Sequence, residues 1–146
     1  VVNASISGDT TAGGRSRLTP LLQQHQPNVV VIELGGNDAL RGLALAQSEA
    51  NLIAMAQASQ AAGAKVLLLG MQVPPNYGAD YAQKFEAIFK NTAKATASLW
   101  VPSFLKGIAD AADPLQGFQA DRIHPNGQAQ PQLLANMWPE LKRLLP

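Results

Sequence analysis

Asn28-Val29-Val30-Val31-Ile32-Glu33-Leu34 runs directly into Gly35-Gly36-Asn37-Asp38. Four β-branched residues in succession, without polar alternation, are the pattern of a parallel strand covered on both faces. Lys65 to Gly70 (KVLLLG) reads the same way. Between the two, Leu43 to Ala62 places Leu45, Leu52, Met55 and Ala56 at helical spacing, and Gly63 stands where a left-handed C′ residue belongs. Strand, helix, strand over this length predicts an α/β fold with a parallel sheet.

Working outward, Val1 to Ile6 reads as a short strand and Ser7-Gly8-Asp9-Thr10 as a turn that caps a helix. That helix, Thr10 to His25, carries Leu18, Leu21 and Leu22 and is expected to be interrupted at Gly13-Gly14 and at Pro20. Val73 to Gly78 (VPPNYG) is a loop, since its prolines suit neither a helix nor a central strand. Ala79 to about Ala97 is amphipathic, with Tyr81, Phe85, Ile88 and Phe89 on one side. Leu99 to Phe104 predicts a strand, Leu105 to Gln119 an irregular stretch, and Asn126 to Leu145 a last helix kinked at Pro139.

The composition excludes several classes. A chain of 146 residues, 47% hydrophobic and 14% charged, is an ordinary globular domain spanning 1–146. Its net charge of +1 arises from 11 basic and 10 acidic residues spread without a basic stripe, so no nucleic-acid partner is expected. Zero cysteines rule out disulfides, thiolate metal sites and a Cys nucleophile. No apolar run approaches the ~18 residues of a membrane span, so no stable membrane insertion is expected.

In parallel sheets, ligands bind at the carboxyl ends of strands. Gly8, Asn37 and the 70–78 loop fall on that rim. Near the other terminus, Asp121-Arg122-Ile123-His124-Pro125 sets a carboxylate three residues before an imidazole. A His that takes a proton from a hydroxyl needs its second ring nitrogen held by an acceptor, and an Asp in the same turn can supply one. A Gly-turn N–H and a strand-end amide are suitable donors to a developing oxyanion. No Walker or dinucleotide glycine pattern is present, and Asp121 with His124 makes too few ligands for a metal site.

Together, VVNASISGDT, ELGGND, PPNYG and His124-Pro125-Asn126 with the following QAQP resemble the SGNH (GDSL-type) hydrolases. The closest similarity is to the bacterial acyl-CoA thioesterase/lysophospholipase (arylesterase) subgroup, in the same order and over essentially the whole chain. The resemblance implies a three-layer α/β/α, flavodoxin-like fold with a mostly parallel sheet. It implies His124 as general base, Asp121 as its orienting carboxylate, Gly8 and Asn37 as oxyanion donors, and Pro75, Asn76 and Tyr77 beside the substrate. The fourth letter of that family, a Ser in a Gly-Asp-Ser block on the first strand, has no counterpart here. Thr10 in Gly8-Asp9-Thr10 is not read as its substitute, because this triplet resembles the family's second block. The nucleophile and first strand are therefore expected upstream of Val1. The implied activity is hydrolysis of small acyl esters and thioesters by a cofactor-free monomer. A periplasmic or secreted location goes with it, the cytoplasm remaining open. The alternative is an inactive acyl- or lipid-binding remnant of the same fold.

Other residues carry plainer expectations. Asp38 is read as stabilising its turn, Arg41 as a solvated surface residue and His25 as a helix-end charge. Met55, Met71, Met137, Trp100 and Trp138 are read as packing. Glu33 is odd for a buried run; an edge position and a basic partner would each explain it.

Overall fold

The structure is a computed structural model that describes residues 1–120 and 124–146. Three parallel strands form its sheet in the order β1 (Val29–Ile32), β2 (Lys65–Leu69), β3 (Leu99–Val101). The register pairs Val31 with Leu67 and Leu67 with Leu99. Helices α1 (Thr11–His25), α3 (Leu45–Ala61) and α4 (Ala79–Thr96) pack on one face, and α5 (Gln130–Leu144) covers β2 and β3 on the other. A short helix, α2 (Gly36–Leu40), follows β1. Alternation along β2 divides the core accordingly. Val66 and Leu68 join Ile32, Leu52, Met55, Phe85, Ile88 and Phe89. Leu67 and Leu69 join Val101, Phe104, Ile108 and Leu133. This is the expected α/β/α layering.

The edges depart from expectation. Val1 to Ile6 is not a strand but an exposed irregular segment. A strand persists through its ladder, and among the described residues β1 has a partner only on the β2 side. The segment is held instead by the Arg17 guanidinium donating to the Ala4 carbonyl. Nor is β1 covered on both faces. Val31 is 40% exposed although its register partner Leu67 is fully buried, because α5 packs over β2 and β3 and not over β1.

α1 is continuous through both expected interruptions. Gly14 lies where the helix presses on the sheet; an added Cβ would stand 2.3 Å from Leu34 Cδ1. Pro20 and Ser16, whose carbonyl loses its helical donor, are both exposed, so water replaces the missing bond. α5 likewise runs through Pro139. β3 ends at Val101 because Pro102 has no N–H to donate, and the Phe104 N–H turns back to the Gly70 carbonyl at 3.0 Å. Trp138, expected in the core, is 45% exposed on the outer side of α5.

Candidate active site

The rim after β1 is built around one buried carboxylate. Gly35 holds φ +120°, a value that only glycine adopts easily, and turns the chain from β1 into α2. This places Asp38, 2% exposed, under the start of α1. Asp38 accepts from the Thr11 N–H at 2.9 Å, from the Thr11 hydroxyl and from the Ser48 hydroxyl at 2.8 Å. Asn51 of α3 donates to the same Thr11 hydroxyl at 3.0 Å. Asp38 thus joins three helices rather than merely steadying its own turn. It is no free base, since its oxygens are committed to these donors.

The residues on either side of Asp38 seize the Gly8–Asp9 turn. Asn37 Nδ2 donates to the Asp9 carbonyl at 3.0 Å, and Arg41 Nη2 donates to the Gly8 carbonyl at 2.8 Å. Arg41 is therefore exposed, as expected, but engaged. Gly8 sits at φ +76° with its carbonyl occupied and its N–H making no hydrogen bond among the described residues. The Asn37 amide carries a second hydrogen beyond the one fixed on Asp9. The bond from Asn37 to the Asp9 carbonyl thus ties Asn37 to the turn that carries Gly8. Thr10 is the N-cap of α1, its hydroxyl accepting from the Gly13 N–H at 3.2 Å, a structural role that agrees with setting it aside as nucleophile.

His124 is half-buried in a loop clamped onto residues 116–119. Its carbonyl accepts from the Gln119 N–H at 2.8 Å, and Asn126 Nδ2 donates to the carbonyls of Gln116 and Phe118 at 2.7 and 3.0 Å. The Asn126 side chain also caps the turn that leads into α5. His124 acts electrostatically on Glu33, the residue after β1. Glu33 is exposed as a residue, yet surrounding chain desolvates its carboxyl and raises its pKa above the ordinary carboxylate value; positive charge on His124 opposes that rise. Of the two expectations for Glu33, a basic neighbour acts on it, the charge of His124. Asp121 lies outside the described residues.

The loop after β2 forms a 3₁₀ turn at Pro75–Tyr77. Pro75 and Asn76 are exposed, while the half-buried Tyr77 ring stacks at 5.7 Å and 33° on Tyr81, the first aromatic residue of α4. Sequence reasoning missed the roles of Thr11, Arg41 and Tyr81. For Arg41 a signal existed, since it stands four residues after Asn37 and so one helical turn further on. Among the described residues no group of three or more His, Asp or Glu side chains is placed to hold a metal ion. A surface groove of ≈ 550 Å³ beside β3, lined by Lys90, Lys94, Trp100 and Arg143, contains none of the residues above.

Residues 1–130 match the GDSL-like lipase/acylhydrolase family. The chain belongs to that family. Within it, the chain is 56% identical to esterase TesA of Pseudomonas aeruginosa over 146 residues, 99% of this chain and 71% of that protein. It is 44% identical to thioesterase 1/protease 1/lysophospholipase L1 of Escherichia coli K12, over 99% of this chain and 68% of the relative. Among solved structures of GDSL-like hydrolases, it matches the crystal structure of TesA with a TM-score of 0.94 and 54% identity, over 99% of this chain and 79% of that one. The esterase EstA from Pseudoalteromonas sp., inhibited by monoethylphosphonate, matches with a TM-score of 0.88 and 39% identity, over 97% and 76%. No helix among the described residues is long and apolar enough to cross a membrane.

Proposed function

We propose that this GDSL-like hydrolase cleaves acyl esters and thioesters through an acyl-enzyme whose serine lies in residues preceding Val1. The observation that supports the reading is the hydrogen bond from Asn37 Nδ2 to the Asp9 carbonyl, which ties the Gly8–Asp9 turn to the short helix that follows β1. The relatives' names, esterase and thioesterase/lysophospholipase, supply the substrate class. Among the described residues β1 is paired only with β2, which leaves its other edge for the strand that would bring the serine.

In the first half-reaction the serine hydroxyl attacks the acyl carbonyl while His124 accepts its proton. Gly8 N–H and Asn37 Nδ2 hold the oxyanion, and His124 returns the proton to the leaving alkoxide or thiolate. Water repeats the sequence on the acyl-enzyme and frees the acid. Asp121 orients the imidazole, and the Pro75–Tyr77 turn borders the acyl group. Inhibition of the similar esterase EstA by monoethylphosphonate supports this reading.

A fluorophosphonate probe tests the reading. The protein extended to include the residues before Val1 takes up one label, and His124→Ala abolishes labelling and the acyl-enzyme burst. Absence of label on the extended, folded protein refutes the reading in favour of an acyl-binding remnant. A periplasmic or secreted location and a monomeric state belong to the same proposal; cell fractionation and sedimentation test them.

A further inference from the structure

We infer that Tyr81 is a further substrate-orienting residue of this site, its phenol donating a hydrogen bond to an acceptor oxygen of the bound acyl ester; the inference rests on the function proposed above. Its basis is an orphan. Tyr81 Oη is buried and has no hydrogen-bond partner among the described residues. Native proteins rarely leave a buried hydroxyl unpaired, and such groups point to a ligand or water that completes them.

Its placement favours a ligand. Tyr81, Phe85 and Phe89 recur at four-residue spacing on one face of α4. Phe85 and Phe89 meet edge to face with centroids 5.3 Å apart, and both lie within 3.8 Å of where a Cβ on Gly35 would stand. Helix α4 begins just after the loop that leaves the carboxyl end of β2, so Tyr81 stands one turn nearer that rim than Phe85. Its ring contacts Tyr77 of the 75–77 turn and packs against the core cluster that holds Ala39, Phe85 and Phe89. Burial, then Tyr77, then the charge of Asp38 all push the phenol pKa above its ordinary value, so the group keeps the proton that it would donate.

The test is Tyr81→Phe in the extended protein, with p-nitrophenyl butyrate as substrate and thermal unfolding measured in parallel. Removing one neutral hydrogen bond to substrate predicts a fall in kcat/KM of about three- to tenfold. The melting temperature is expected to hold or rise, because the orphan hydroxyl is gone. An unchanged kcat/KM overturns the inference while leaving the hydrolase reading intact. A fall accompanied by a lowered melting temperature also overturns it, assigning the hydroxyl to the fold. A parent protein that neither turns over substrate nor takes the fluorophosphonate label defeats the functional reading, and this inference with it.

Discussion

At the scale of single residues, Asn37 and the carboxylate next to it make separable predictions. Asn37→Ala in the extended protein is expected to lower kcat by about 10²–10³, the usual loss for one oxyanion donor. It should also cost about 1 kcal/mol of stability, because the Asp9 carbonyl loses its partner. Steady-state kinetics beside urea unfolding tells these apart, and near-normal turnover removes Asn37 from the role. Asp38→Ala is a different lesion: it strands Thr11 and Ser48 donors in a buried site and is expected to cost at least about 3 kcal/mol in urea unfolding. Glu33 offers a pH signature. Its folded pKa is raised, so its ionised form weakens the fold once the pH passes that value, while below about 4.3 the folded and unfolded chains are both protonated. Glu33→Gln should therefore raise the melting temperature at pH 7 and leave it unchanged near pH 3. A gain at both values would show that charge is not the cause.

At the scale of elements, Gly70 is the joint where β2 meets the turn after β3. An added Cβ there would stand 2.8 Å from the Pro102 carbonyl oxygen and from Trp100 Nε1, and 2.9 Å from the Val101 carbonyl oxygen. Two of these are backbone atoms that cannot swing away, so Gly70→Ala is expected to destabilise by about 1–3 kcal/mol despite the smaller entropy cost of alanine. Denaturant midpoints measure this; a neutral outcome would mean that the β2–β3 joint yields. The elements themselves were legible where local chemistry governs them. KVLLL, the alanine-rich α3 with Gly63 after it, and the amphipathic α4 all read correctly from side-chain periodicity. What escaped was set by partners. Val1 to Ile6 has strand composition but no neighbour to pair with, and Pro20 is harmless because its side of α1 faces water. α2 is only five residues long and is held by Asp38 rather than by any apolar stripe. In the candidate site, Gly8 and Asn37 are named from their place on the rim and from the family resemblance. The bonds from Asn37 to Asp9 and from Arg41 to Gly8 cross 28 and 33 residues of chain, and no local pattern announces them.

At the scale of the whole molecule, the sheet is sealed unevenly. β2 is buried from Val66 to Leu69, whereas among the described residues β1 is paired on one side only and its Val31 is exposed. Unpaired flanks recruit other strands. The 146-residue chain by itself is expected to self-associate as concentration rises, and Val31→Lys to reduce this. Sedimentation velocity measures it; association that ignores the substitution places the contact elsewhere.

One feature of the rim reaches beyond the rim. The turn bearing Gly8 is gripped from α2, α2 is pinned through Asp38, and Asp38 is in turn held by Ser48 on α3. Laboratory evolution of this scaffold therefore has a lever outside the reaction chamber. Conservative exchanges at Ser48 or Asn51 would act on the Gly8–Asp9 turn through Asp38 and Thr11 while leaving Gly8 and Asn37 in their original chemical form.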